Sequence, residues 1–245
     1  MKYYPVDQGT SEWYRLRIGR PTASNFHRIV TPTGKASTQS IPYLYRLVAE
    51  RLLNETLDDD IGFVRWVKEG QEREPQAVAT FEFTNELRVE KGGFCTTDDG
   101  RYGASPDRIL RGMREGLEVK CPSPQTHIKY LLDGPGDDYR AQVQGHLLVA
   151  DMFQAVHFYS WHPQMPPFHK ITLPDRNYQT ALRSALDRFC DALDVATERA
   201  RMLGAYVATR RAMTPFDEAY GGEKTLMLVN PEVSGERIRA TEEGD

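Results

Sequence analysis

Residues 105–120 read Ser-Pro-Asp-Arg-Ile-Leu-Arg-Gly-Met-Arg-Glu-Gly-Leu-Glu-Val-Lys, and this stretch decides both the local fold and the place of the chemistry. Two runs carrying apolar residues flank a turn containing Gly112 and Gly116, which is the pattern of a β-hairpin. Side chains alternate between faces along a strand, so Glu118 and Lys120 project to one side and Val119 to the other. Pairing across the hairpin brings Asp107 alongside them, and two carboxylates and one amine then share a patch.

Two carboxylates a few ångströms apart repel, and each tends to keep its proton unless a cation lies between them. A hard divalent ion removes that conflict. Mg²⁺ takes oxygen ligands and retains water, so Asp107, Glu118, the carbonyl of Val119 and phosphate oxygens make a suitable shell. Such an ion stabilises charge growing on a phosphate and lowers the pKa of a bound water. Lys120 would orient the attacking water or offset the negative charge that develops. The pattern therefore points to phosphodiester hydrolysis. The competing reading is an exposed hairpin with ordinary surface charges, because an Asp…Glu-x-Lys string is short.

Ser105-Pro106-Asp107 with Leu117-Glu118-Val119-Lys120-Cys121-Pro122 resembles the PD-(D/E)XK nuclease signature and, more narrowly, the lambda-type phage exonucleases of the YqaJ viral recombinase family. Trp13 to Gly19 with Thr22-Ala23-Ser24 is similar to that family's opening motif. Gly70 to Glu74, followed by Phe81-Glu82-Phe83-Thr84, is similar to its second block, and Tyr139-Arg140-Ala141-Gln142-Val143-Gln144 to its last. The blocks stand in the family's order across roughly residues 13 to 160.

The resemblance implies an α/β fold in which helices flank a central mixed β-sheet, the restriction-endonuclease-like core. It implies that Asp107, Glu118 and Val119 (through its carbonyl) bind metal, that Lys120 is the catalytic amine, and that Glu74 adds a further acid from a helix. The metal would be Mg²⁺ in a two-metal site, with Mn²⁺ able to substitute. Arg17, Ser24 and Ser105 would hold the 5′-terminal phosphate of the degraded strand. An arginine fork with hydroxyl donors suits such a group. Ser24 also lies near an expected helix start, where free backbone amides favour anions. Gln142 would bond the nucleophilic water or a terminal phosphate, with Tyr139 beside it facing DNA; the plainer reading of Gln142 is a core amide bonded to backbone. Tyr139, Gln142, His146 and Val149 fall at helical spacing on one face, and His146 reads as a core or rim histidine. Pro75 disfavours helical geometry at Glu74, so that helix is expected to start at Pro75 with Glu74 as its cap. Trp13 reads as a core anchor.

The implied activity is 5′-to-3′ digestion of one strand of duplex DNA from an end, releasing 5′-mononucleotides and leaving a 3′ overhang for phage-type recombination. A ring-shaped homotrimer and a single-strand annealing partner are further implications. Two rivals stay open: an endonuclease of the same core, which would cut closed circular DNA, and a catalytically silent DNA-end-binding module, which would lack the full acidic set. Composition neither demands nor forbids these readings. A net charge of −4 would never by itself suggest DNA, although an acidic metal centre needs only a local basic lining.

With 245 residues, 40% hydrophobic, the chain can bury a substantial core without cross-links. Three cysteines without paired spacing suggest neither a disulfide framework nor a zinc site, so a reducing cytosol is expected, and the family resemblance implies that it is that of a bacterial host carrying a phage or prophage. Neither a targeting core at residues 1–10 nor a membrane-spanning run is evident. Residues 1–213 read as one nuclease domain and 214–245 as a polar extension. Helices are expected near 11–18, 22–30, 41–54, 75–85, 124–132, 138–151 and 175–209, and strands near 88–96, 101–110, 115–121, 154–161 and 168–173, the last two joined by a proline-rich turn at 163–167.

Overall fold

A computed structural model describes residues 1–57 and 65–204. In chain order its elements begin with β1 (Lys2–Tyr4), α1 (Ser11–Arg17), a 3₁₀ helix (Ala23–Arg28), α2 (Ser40–Leu53) and α3 (Arg65–Asn85). Then come β2 (Val89–Lys91), β3 (Phe94–Thr96), β4 (Gly103–Ala104), β5 (Arg108–Leu110) and β6 (Glu115–Lys120). The chain continues through α4 (Pro124–Asp133), α5 (Arg140–Val149), β7 (Ala155–His162), β8 (Met165–Thr172) and α6 (Arg176–Met202). The main sheet runs β2-β5-β6-β7-β8 and a small one runs β1-β3-β4. Only the β6–β7 pairing of the main sheet is parallel; its other pairings are antiparallel. The expected mixed sheet flanked by helices is the fold observed.

Each face of the main sheet has its own core. Leu110, Leu117, Val119, Tyr159 and Trp161 pack with Ala77 and Phe81 of α3 on one side. Ile109, Val156 and Phe158 join residues of α2, α5, α6 and the 3₁₀ helix on the other. β7 is buried along its whole length, as a strand covered on both faces must be. α6 carries Leu182, Leu186, Phe189 and Leu193 on one buried stripe, and Asp175 caps its start by accepting the Tyr178 N–H at 3.0 Å. Ser123 caps α4 in the same way through the Thr126 N–H, with Pro124 opening the helix.

Two expected strands are each divided between the sheets. The run at 88–96 breaks at Gly92-Gly93, placing β2 in the main sheet and β3 in the small one, while 101–110 breaks at Ser105-Pro106 and separates β4 from β5 in the same way. The two breaks touch. A Cβ on Gly92 would lie 1.8 Å from the Pro106 carbonyl oxygen, and the Gly92 N–H donates to the Asp107 carbonyl at 3.2 Å. Only a residue without a side chain lets the chain cross here, one position before Asp107.

Three further expectations need correction. α3 starts at Arg65 and runs through Pro75, so Glu74 lies inside the helix instead of capping it. Proline removes one N–H and leaves the carbonyl four residues back without its helical donor, but packing of Ala77 and Phe81, each 0% exposed, fixes the helix regardless. β8 starts at Met165 and contains Pro166 and Pro167, which a sheet edge tolerates because one side of the strand needs no donors. The expected helix at 22–30 is a six-residue 3₁₀ turn. Among the described residues no helix is long and apolar enough to cross a membrane. The expected end of the last helix beyond residue 204, the 213/214 boundary and the polar extension lie outside the described residues.

Gly92→Ala should lower the stability of the fold by about 2 kcal/mol, the usual scale of overpacking where backbone cannot retreat. Urea unfolding followed by circular dichroism checks this; an unchanged midpoint would mean the crossing has slack.

Candidate active site

The hairpin of β5 and β6 pairs Arg108 with Leu117 and Ile109 with Gly116, so Asp107, one residue before the ladder, falls opposite Glu118. Asp107 Oδ2 accepts the Val119 N–H at 2.7 Å, which ties the two strands at the point where the charges gather. Glu118 is 1% exposed, and among the described residues its carboxylate bonds to side chains alone. Oε1 accepts from Lys120 Nζ at 2.5 Å and from Gln142 Nε2 at 2.6 Å. Oε2 lies 2.9 Å from His146 Nε2. Gln142 and His146 are one turn apart on α5, so a single helix face reaches both oxygens.

That face comes close because of Gly145. A Cβ there would lie 2.6 Å from the Phe26 ring and 3.1 Å from the Ala23 methyl, so its absence lets α5 settle on the 3₁₀ helix. Tyr139 precedes α5, and Lys120 Nζ stands 5.4 Å from the centre of its ring. The cation thus faces an aromatic surface as well as two carboxylates.

Burial pushes the Asp107 carboxyl up, and the neighbouring Glu118 and Glu74 push the same way; against the opposing pull of Lys120 and the Val119 N–H it rises to about 8. Burial would also raise Glu118, but Lys120 and His146 outweigh it and hold that carboxyl down to about 2. Lys120 is raised above the usual lysine range: burial opposes its charge, and Glu118 and Asp107 more than compensate. At neutral pH the cluster holds an ammonium, a carboxylate and a second carboxyl that resists ionising. A cation seated between the carboxyls would remove that resistance, so the donor set suits a hard divalent ion.

Asp107, Glu118, Val119, Lys120, Gln142 and Tyr139 are gathered at one place. Val119 gives its N–H to Asp107 and turns its side chain into the opposite core. Glu74, on α3, is near enough to push the Asp107 carboxyl up, and its Oε1 is 2.9 Å from Arg108 Nη2. Among the described residues no three His, Cys, Asp or Glu side chains form a ready cage for a metal. Gln142 bonds a side-chain carboxylate, an arrangement between the two readings its sequence position allowed.

The residues expected at a terminal phosphate form a second group. The Arg17 guanidinium lies 4.1 Å above the Trp13 ring, and Trp13 Nε1 donates to Ser105 Oγ at 2.8 Å. Ser105 Oγ in turn donates to the Gly93 carbonyl at 2.7 Å, next to the strand crossing. Ser24 is exposed beside the Thr22 hydroxyl at 3.3 Å, and Thr22 bridges to Gly103, two residues before Ser105. Trp13 is half-buried and hydrogen-bonded, a linker between Arg17 and Ser105 more than a core anchor. Sequence reasoning missed the contact of His146 with Glu118; the four-residue spacing from Gln142 was the available signal.

Residues 12–153 match the YqaJ-like viral recombinase domain. No curated protein sequence matches the chain. The alkaline exonuclease LHK-Exo from Laribacter hongkongensis is 25% identical with a TM-score of 0.71, over 80% of this chain and 98% of that one. Its structure in complex with dAMP matches equally well. A phage-related exonuclease from Haemophilus somnus 129PT shares the fold at 15% identity and a TM-score of 0.56, over 72% of this chain and 96% of that one.

The raised Asp107 carboxyl has a testable sign. The unfolded chain loses this proton near the ordinary value of 3.8 while the native chain keeps it to about 8, so native stability falls as pH rises through that window. Asp107→Asn removes the effect. In EDTA its melting temperature should exceed that of the unaltered chain by a margin that grows from about pH 4 to about pH 8 and then levels; thermal melts at a series of pH values would show it, and a margin independent of pH would contradict it.

Proposed function

Because the chain belongs to the YqaJ-like viral recombinase domain family, we propose that it is a metal-dependent DNA exonuclease that digests one strand of duplex DNA from its 5′ end, releasing 5′-mononucleotides and leaving a 3′ overhang. The observation that carries this reading is the meeting of Asp107, Glu118, Lys120 and Gln142 at the end of one hairpin. The likeness to an alkaline exonuclease, one of whose structures holds dAMP, supports it.

Asp107 and Glu118, with the Val119 carbonyl, would hold Mg²⁺ or Mn²⁺, which when bound supplies a Lewis acid for the phosphate and a more acidic water. Glu74, paired with Arg108 through Oε1, keeps a second carboxylate oxygen that would add to the set from α3. The raised Lys120 ammonium is charged at neutral pH, so it acts as a donor and counter-charge to the phosphoryl oxygens and not as a general base. Gln142 keeps its amide N–H on Glu118 and leaves its carbonyl oxygen to orient a water. Tyr139 lies under the Lys120 ammonium and limits where that group can swing.

Arg17 and Ser24 would receive the 5′-terminal phosphate, and Ser105 would hold Trp13, and through it Arg17, in place. Ser105 reaches the phosphate directly only by giving up its bond to Gly93. A homotrimeric ring, a single-strand annealing partner and a setting in the cytosol of a phage-bearing host belong to the same proposal, and family membership alone supports them.

A time course on linear duplex labelled at either end, with and without Mg²⁺, tests the polarity and the metal requirement; cutting of covalently closed circles would favour an endonuclease instead. Lys120→Ala should release nucleotides at least about 100-fold more slowly with an unchanged circular-dichroism spectrum, and undiminished release would remove Lys120 from the catalytic account. Duplex with 5′-hydroxyl ends should be degraded roughly tenfold or more slowly than 5′-phosphorylated duplex, since charge-assisted bonds to the terminal group are lost. Equal rates would dismiss the phosphate pocket.

A further inference from the structure

We infer that His146 is a positioning residue, whose Nε2–H fixes the orientation of the Glu118 carboxylate and so sets the affinity of the site for a divalent cation. The inference rests on the proposed metal site and adds to it a residue that none of the motifs contains.

Glu118 and His146 are each 1% exposed, so bulk water does not compete for their hydrogen bond. An ionised carboxylate only accepts, and the atom 2.9 Å from Oε2 is His146 Nε2; the hydrogen between them must therefore sit on that nitrogen. Nδ1 has no hydrogen-bond partner among the described residues, so the ring's one polar tie runs through Nε2. On the other oxygen, Lys120 and Gln142 both donate to Oε1. With donors on each oxygen the carboxylate cannot rotate about its terminal bond without breaking a bond in a buried place.

Lys120 and Gln142 share Oε1, and both have roles in the proposed chemistry. His146 has no such role: among the described residues its side chain's one hydrogen bond goes to the carboxylate that would bind the ion. This is the relation of a second-layer hydrogen bond to a metal ligand, where losing the outer partner commonly weakens metal binding 10- to 100-fold. Gly145, which lets α5 approach the 3₁₀ helix, sets how near His146 comes.

The test uses the full chain and Mn²⁺ alone, with bound and free ion separated by electron paramagnetic resonance. His146→Leu should bind Mn²⁺ roughly 10- to 100-fold more weakly at a nearly unchanged melting temperature, and His146→Gln, whose amide can donate from about the place of Nε2, should recover most of the loss. Equal Mn²⁺ affinity in His146→Leu and the unaltered chain would overturn the inference and leave the metal site standing. Equal losses in both variants would also overturn it. Failure of the unaltered chain to bind Mn²⁺ would overturn the metal reading, and the inference with it. A second measurement needs no variant: nitrogen-15 spectra of the unaltered chain should place the His146 hydrogen on Nε2 and show its resonance moving as Mg²⁺ is added. A bare Nε2 with the hydrogen on Nδ1, or a resonance that ignores Mg²⁺, would refute the assignment.

Discussion

One constraint governs the site: two carboxyl groups and an ammonium are held together where little water reaches them. Three such charges would be unfavourable if unmatched, and the chain matches them unequally. Glu118 receives three donors and stays ionised, while Asp107 has one backbone donor and is driven toward its neutral form. That imbalance is the physical reason for expecting a cation. An arrangement meant only to stabilise the fold would not leave a carboxyl whose ionisation is opposed by two neighbouring acids.

The scaffold delivers this arrangement through close approaches more than through stiffness. The parallel pair β6–β7 lies at the middle of the sheet with a core on each face, so Glu118 can point into one core side and Val119 into the other. Gly92 lets the chain cross between sheets directly before Asp107, and Gly145 lets α5 bring Gln142 and His146 onto Glu118. Trp13 links the opening helix to Ser105, so the candidate phosphate group and the carboxyl cluster hang from the same strand crossing.

Much of this was legible in the sequence because it depends on local period. The alternation at Glu118, Val119 and Lys120, the turn after Leu110 and the spacing on α5 are written in a few consecutive residues, and the hairpin, the faces and the helix follow from them. What depends on distant packing was not legible. Division of the strands at Gly92 and Pro106 reflects two segments pressing on one another, which no single segment announces. Pro75 signals a helix start by its own geometry, yet Ala77 and Phe81 against the sheet keep the helix continuous through it. His146 looked like any histidine on a partly apolar face, because its partner lies 28 residues away. Glu74 was legible as an acid on a helix but not as the partner of Arg108, since that pair joins two elements across the edge of a strand.

The central claim is that Asp107 and Glu118 grip one divalent cation between them. Anomalous X-ray scattering from a crystal soaked in Mn²⁺ tests it most directly. The account predicts a peak within about 2.5 Å of an oxygen from each of the two side chains, with the Lys120 ammonium near but not bonded to the metal. A peak bound to only one of them, or Mn²⁺ found only elsewhere on the molecule, would contradict it.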